Sequence, residues 1–322
     1  MFNGIINADR NSVLRGVLTV MITAIVMVCI TYTNANAGDV KQKTFTSPEE
    51  AVKALVDAVK ANSNTELLAI FGPGSEDLIS SGDEVADENA REKFLSAYEE
   101  KNKLEKETPD KVVLEIGSDD WPLPIPIVKQ GKAWLYNTKA GLDEMLSRRI
   151  GRDELDAIRT LHGYVDAQRD YIKKDRDGNG YLEFAQKISS TDGKHDGLYW
   201  DSNEGEEESP LGPLFAEASS AGYNLNKQQN GQPTPYHGYF YKILKGQGKN
   251  ANGGEYDYVV NGKMILGFAM IAYPANYGSS GIMTFIVNQD DVVYQMDLGE
   301  NTSDIVKSIQ TYDPDKTWKK AE

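Results

Sequence analysis

The stretch Asp175-Arg176-Asp177-Gly178-Asn179-Gly180-Tyr181-Leu182-Glu183 sets oxygen-bearing side chains at alternate positions, so that Asp175, Asp177 and Asn179 can converge on one cation. Gly180 falls where such a loop must turn sharply, Tyr181 offers its backbone carbonyl, and Leu182 takes the apolar position. Glu183 can ligate directly or through water. This is the first half of a calcium loop of the EF-hand kind. Its twelfth position holds Gln186 instead of a bidentate Glu, so the ion expected at Asp175, Asp177, Asn179, Tyr181 and Glu183 is a weakly held, structural calcium. A Gly/Asp-rich turn that merely closes the preceding helix is the competing reading.

A second acidic stretch follows, Thr191-Asp192-Gly193-Lys194-His195-Asp196-Gly197-Leu198-Tyr199-Trp200-Asp201. Asp192, Asp196 and Asp201 can complete the first ion site or form another. His195 reads better as part of two Asp-Gly turns, with Tyr199 and Trp200 packing inward. His162, beside an apolar helix stripe, and His237, at a strand start, read as structural. Three scattered histidines do not make a zinc site, which wants ligands at close spacing. Gly278-Ser279-Ser280-Gly281 is a turn and not a Gly-x-Ser-x-Gly elbow. Gly246-Gln247-Gly248 lacks the helix that a phosphate-cradling loop opens. No catalytic residue and no organic cofactor is assigned.

The elements that must hold these loops are α+β. Ser47-Pro48-Glu49-Glu50 is a helix start, with Ser as cap, Pro in the first turn and Glu three residues on. Ala51, Val52, Leu55, Val56 and Val59 give that helix one apolar face. A short helix is expected over 66–70 and a third over 91–105, with Phe94, Leu95 and Tyr98 inward. Strands are expected over 111–116 and 132–137. The alternate prolines of 121–128 confine that segment to an edge or extended path. A long amphipathic helix is expected over 150–174, its stripe Leu155, Ile158, Leu161, Val165 and Ile172. Residues 201–208, with five acids, read as a solvated loop. The last third reads as an antiparallel meander, with strands at 236–244, 263–273, 281–288 and 292–297, and a flexible turn over 246–254. The resulting organisation is a leader at 1–37, an α+β domain at 38–149 with helices packed on a small antiparallel sheet, and a pilin-like long helix plus β-meander at 150–322.

The leader sets the compartment. Arg10 and Arg15 precede an apolar run over 16–30 broken by Thr19 and Thr23, and Ala35-Asn36-Ala37 presents small residues for a signal peptidase. The chain is therefore expected to be cleaved before Gly38 and exported, to a bacterial periplasm or beyond, with no membrane span left after cleavage. Cys29 is the one cysteine, so the mature protein would have neither disulfide nor thiol nucleophile. The net charge is −15, and losing the leader makes it more negative. That disfavours nucleic acid, whose phosphates need clustered Lys and Arg, and favours a cation, a small ligand or an envelope protein as partner.

Several segments together resemble the exported bacterial proteins grouped as domain of unknown function 2950. They are Ser47-Pro48-Glu49-Glu50-Ala51, Ser81-Gly82-Asp83, Trp121-Pro122-Leu123-Pro124-Ile125-Pro126, Arg148-Arg149-Ile150-Gly151, Asp166-Ala167-Gln168-Arg169, Asp196-Gly197-Leu198-Tyr199-Trp200, Pro235-Tyr236-His237-Gly238-Tyr239 and Tyr273-Pro274-Ala275-Asn276-Tyr277-Gly278. The family carries no established activity, so this resemblance implies organisation and not mechanism. The second half also resembles, more weakly, the globular domains of pseudopilins, whose calcium loop would map onto Asp175, Asp177, Asn179 and Glu183. The first half is reminiscent of cone-shaped α+β modules of the nuclear-transport-factor type. The function expected is that of a non-enzymatic binding or interaction protein of the envelope. The alternatives are an envelope enzyme using Asp/Glu acid–base chemistry, favoured by paired carboxylates with split pKa values at a pocket, and a secretion-system accessory.

Overall fold

Among the described residues, seven helices and two five-stranded antiparallel sheets carry the chain. The computed structural model describes residues 41–176, 178–202, 205–225, 228–229 and 232–321. The leader expected at 1–37 and Asp177 lie outside the described residues. Helix α1, Pro48–Lys60, starts as its sequence predicts: Ser47 Oγ accepts from Glu50 N at 3.2 Å, and Glu50 reaches back to accept from Thr46 N at 2.8 Å. Ala51, Val52, Leu55, Val56 and Val59 are buried. Helix α2, Asn64–Phe71, is capped by Ser63 and ends at Gly72, whose φ of 86° few other residues adopt. After the single turn α3, Glu76–Ile79, comes α4, Glu84–Glu100.

The expected helix over 91–105 is thus displaced toward the N-terminus. The Asp83 carboxylate accepts from Ala86 N at 3.0 Å and starts α4 early. Lys101 is extended, and β1, Asn102–Thr108, takes the remaining residues. Strand β1 pairs with β2, Lys111–Ile116, so Leu104 faces Leu114. Strands β3, Trp121–Pro122, β4, Ile127–Gln130, and β5, Ala133–Tyr136, complete the first sheet in the order β1-β2-β4-β5, with β3 beside β2. The prolines of the 121–128 segment leave only Trp121–Pro122 and its last residues in the ladder. Leu123 and Ile125 between them are buried under α1 and α2, in a cluster with Leu55, Ile70, Phe71 and Tyr136.

Helix α5, Thr138–Tyr171, is 34 residues long and starts well before the expected position. It runs unbroken across residues 149 and 150, where the sequence places a domain boundary. Buried apolar residues gather in two main clusters, one over 45–136 and the other over 157–312, with a small third of Ala218, Tyr223 and Tyr236, while Lys41–Glu322 forms one compact unit. Of the expected stripe, Leu161 and Val165 are buried and Ile158 packs against the core, but the inner face is rotated at its N-terminal end. Ala157, Leu161, Tyr164, Val165, Gln168 and Tyr171 are buried, whereas Leu155 is 60% exposed. Stepping back from Ala157 by one turn puts Asp153, not Leu155, on the inner row.

The second sheet packs on that row. Its order is β10-β9-β8-β7-β6, with β6 Tyr239–Leu244, β7 Ala269–Pro274, β8 Met283–Asn288, β9 Tyr294–Asp297 and β10 Lys319–Lys320. The expected strand over 263–273 is broken. Lys263–Met264 closes a hairpin with Val259–Val260 across Asn261-Gly262, both at positive φ as a tight primed turn requires. Ile265 and Leu266 then lie exposed before β7 begins. The segment 246–254 is ordered, not loose: Gly246–Gln247 pairs with Tyr256–Asp257, and Gln247 and Ala251 are buried. Helices α6, Gly212–Ser220, and α7, Thr302–Ser308, flank the sheet. Among the described residues no helix is long and apolar enough to cross a membrane.

Candidate functional site

The first Asp-Gly stretch follows the C-terminal end of α5, and Asn179 and Glu183 from it line one cleft with Asp196 of the second. In the first, Asp175 folds the loop by accepting from Asn179 N at 3.0 Å and Gly180 N at 2.8 Å. Asn179 Oδ1 accepts from Tyr181 N at 3.0 Å, and its amide donates to Glu183. Glu183 is buried and sits 3.5 Å from the Lys263 ammonium, which also lies 4.2 Å from the centre of the Tyr181 ring. Asp175, Asn179 and Glu183 are thereby linked through one loop, with Lys263 supplying a positive charge beside the last of them. Arg176 turns inward, 3% exposed, and donates to the Asp170 carbonyl at 2.7 Å, to the Asp170 carboxylate and, at 3.1 Å, to Glu207. It also donates to the Tyr171 carbonyl. It caps the helix end and ties in Glu207; the described residues of the 201–208 stretch are exposed loop, as expected. Among the described residues no group of three or more His, Cys, Asp or Glu is gathered as metal ligands are. Asp177 lies outside them.

In the second stretch, Asp196 organises the turn. Its carboxylate accepts from Thr191 N at 2.8 Å, Thr191 Oγ1 at 3.0 Å and Lys187 Nζ at 2.7 Å. Desolvation pushes this carboxyl up, but the Lys187 ammonium and the Thr191 donors win and hold it at about 2. Gly197 packs so closely on the backbone of Ser189 and Ser190 that a Cβ there would come within 2.8 Å. Tyr199 and Trp200 turn inward as expected: Tyr199 stacks on Phe215 at 3.7 Å, and Trp200 is buried. His195 stacks on Trp200, ring centres 4.1 Å apart, while Tyr171 Oη donates to the His195 carbonyl at 2.7 Å. Tyr199 Oη donates to Asp201 at 2.6 Å, and that bond, with burial, pushes the phenol up to about 12.

Between these side chains opens a cleft of about 590 Å³, lined by Ser190, Asp192, His195, Tyr199, Trp200, Asp201 and Glu206 among others. Its walls are hydroxyls, carboxylates and aromatic rings, the chemistry of a site that hydrogen-bonds a polar ligand and stacks against its flatter face.

A different carboxylate group lies where the two apolar clusters meet. Asp83, fully buried, accepts from Gly238 N at 2.8 Å and Tyr223 Oη at 3.0 Å besides capping α4. Burial pushes its carboxyl up against those bonds. Asp153, 2% exposed, accepts from Arg152 through Oδ1 at 3.1 Å, while Oδ2 has no hydrogen-bond partner among the described residues. Burial pushes it up to about 6 despite the Arg152 and Arg149 charges. Asp156 holds Arg159 and stands 3.5 Å from His237 Nδ1. Burial lowers the His237 pKa. His237-Gly238 forms a two-residue hairpin turn, φ 50° and 73°, closed by Tyr236 N donating to the Tyr239 carbonyl at 2.9 Å. A Cβ on Gly238 would lie 2.9 Å from Ser280 Cβ and 3.0 Å from Asp153 Oδ2, so this node is closed by packing. Arg149 donates to the Asp77 and Leu78 carbonyls and to Ser279 Oγ, tying α3, α5 and the 278–281 turn together.

Sequence reasoning singled out neither Asp83 nor the Asp153–Asp156 pair as a site. Two signals were available: acids spaced in phase with the inner row of α5, and the two-residue turn His237-Gly238 between tyrosines. His162, read as structural, pairs with Asp291 at 2.6 Å.

The family resemblance drawn from sequence segments meets these folded positions: Ser81-Gly82-Asp83, Arg149 and Tyr236-His237-Gly238 converge on the closed node, and Tyr199 and Trp200 line the cleft. Neither a curated protein nor a solved structure matches the chain, so the pseudopilin likeness of the second half is not confirmed. The family model described as protein of unknown function, DUF2950, matches residues 42–321, and the chain belongs to that family.

Proposed function

We propose that this chain is an exported envelope protein that binds a small polyhydroxylated ligand, a saccharide or a molecule built like one, without transforming it. The cleft beside the Asp196 turn carries the proposal. Its stacked His195–Trp200 pair offers an aromatic edge and face, and Asp201 and Asp192 offer acceptors for ligand hydroxyls. Tyr199 fixes Asp201 in place beforehand, which lowers the ordering cost of binding. Titration of the mature chain with neutral mono- and disaccharides, followed by tryptophan fluorescence and calorimetry, tests it. Saturable binding weakened about tenfold by Asp201→Asn is expected, the scale of one hydrogen bond to a charged group. A flat response across the panel removes the saccharide.

Calcium belongs to the same proposal as a structural ion at Asp175, Asp177, Asn179, Tyr181 and Glu183. The loop bonds made by Asp175 support it, since they draw the chain around one point. Lys263 competes for Glu183, which keeps the affinity low. At ten times its dissociation constant the ion adds ~1.4 kcal/mol of stability. Millimolar calcium should raise the melting midpoint by a few degrees over chelator, and Asp177→Ala should remove the response. Identical melts leave the turn reading alone. Export is tested by the mature N-terminus, expected at Gly38 by mass spectrometry.

Acid–base catalysis is the second reading, and Asp153, pushed up to about 6 beside the buried Asp83, is what favours it. Its unpartnered oxygen faces Gly238 and Ser280, so binding in the open cleft is preferred.

A further inference from the structure

A second cleft, of about 540 Å³, adjoins the first. Lys187 lines it together with Lys245 and Lys263, and Asp196 and Glu183 are its carboxylates. The Lys187–Asp196 pair that organises the Thr191 turn is thus also a wall of this second space.

Three ammoniums therefore meet two carboxylates in a protein whose acids outnumber its Lys and Arg, 49 to 34. Two of the ammoniums are already engaged. Lys187 donates to Asp196 at 2.7 Å and Thr191 Oγ1 at 2.8 Å, and Lys263 stands 3.5 Å from Glu183 over the Tyr181 ring. Lys245 makes no ion pair with a described residue, and its side chain is exposed at the cleft. The surplus charge is positive and sits on Lys245, while Lys187 and Lys263 are held in place by their own partners. The Asn261-Gly262 turn, both residues at positive φ, also lines the cleft.

We propose that this second cleft is an anion subsite, and that the ligand of the first cleft carries a carboxylate or phosphate beside its hydroxyls. The sugar portion rests on the saccharide reading above; the anion subsite does not. A positive pocket on a strongly acidic surface selects among anions by position, because the rest of the surface repels them. The attraction falls with salt, since Lys245 is exposed.

Calorimetry on the mature chain with glucose, glucuronate, glucose 6-phosphate and inorganic phosphate, at low and high sodium chloride, tests the subsite. Glucuronate or glucose 6-phosphate should bind at least about tenfold more tightly than glucose, with the advantage lost in Lys245→Gln and in high salt. Whichever of the two binds more tightly identifies carboxylate or phosphate as the anion. Circular dichroism checks that Lys245→Gln is folded, as expected for an exposed side chain. Binding of inorganic phosphate that depends on Lys245, with no sugar bound, keeps the subsite and removes the saccharide. Equal binding of glucose and its charged relatives, unchanged by Lys245→Gln, overturns the subsite and keeps the saccharide. No binding by any of the four overturns both.

Discussion

The acids of the Asp-Gly stretches and those of the closed node are the same functional group put to opposite ends. Asp196 lies at a surface turn with Lys187 and two Thr191 donors around it, and it stays ionised far down the pH scale. Asp153 lies in the packed join between the two halves, with one oxygen unpartnered, and it keeps its proton to about 6. The loops use negative charge to order backbone near water. The node buries its acids where the chain needs acceptors for Gly238 N and Tyr223 Oη and accepts the cost. Acidity alone is therefore a poor guide to a binding site in this chain; donors and solvent around each acid decide its use.

The largest effect is expected at Asp83. Asp83→Ala strips the cap of α4 and leaves two buried donors without a partner, which should cost about 3–5 kcal/mol in urea unfolding. A loss below about 1 kcal/mol would mean that the node is not what joins the halves.

Asp153 sharpens the contrast through pH. Its folded pKa, about 6, lies above the ordinary 3.8. The folded state thus holds an extra proton between those values, and stability falls as pH rises through that window. About two units of difference correspond to roughly 3 kcal/mol as an upper scale. Asp153→Asn should flatten this slope and raise stability at pH 7.5, read from chemical melts at pH 4.5, 6 and 7.5. A slope that survives the substitution assigns it to another group.

Asp196 should show the reverse sign and a smaller size. Its folded pKa is depressed to about 2, so its contribution is present above pH 4 and lost as pH falls toward 2. With a partly exposed partner the loss should be about 1 kcal/mol, and Asp196→Asn should remove it. Stability that falls on raising the pH at this residue would erase the distinction between loop and node.

The smallest effect is expected at Leu155. Leu155→Lys should change stability by less than about 0.5 kcal/mol, as exposed positions do. Leu161→Ala, six residues along the same helix and fully buried, should cost about 2–5 kcal/mol. A large cost at Leu155 would return that residue to the buried stripe it shares with Leu161 in the sequence.

That helix also shows where the sequence was legible. The Ser47 cap and the strand at 111–116 are local: the residues that make them lie within a few positions of one another. The Asp-Gly stretches stand out for the same reason, and the inward turn of Tyr199 and Trp200 follows from it. The phase of α5 is not local. Leu155 and Asp153 differ by two positions, and which one faces the sheet depends on Gly238 and Ser280, more than eighty residues away. The node is hard to read for that reason: Asp153 and Asp156 share a helical spacing, but what joins them to positions 83 and 237 is packing between distant segments. The broken strand at 265–268 follows the same logic, since Gly267 fits tightly against the Tyr258 ring where an apolar run alone reads as continuous.

The long helix has one further consequence. Its 34 residues, at ~1.5 Å each, make a rod of roughly 50 Å that belongs to both apolar clusters. A nick between residues 149 and 150 would leave each piece holding part of a single helix, with Arg149 on one side and Asp153 on the other. The pieces would recognise each other through Arg149 donating to Ser279 Oγ and through Gly238 N and Tyr223 Oη donating to the Asp83 carboxylate. The chain is in that respect already divided as a split reporter is designed to be, with a shared helix whose rejoining reports that the two parts have met.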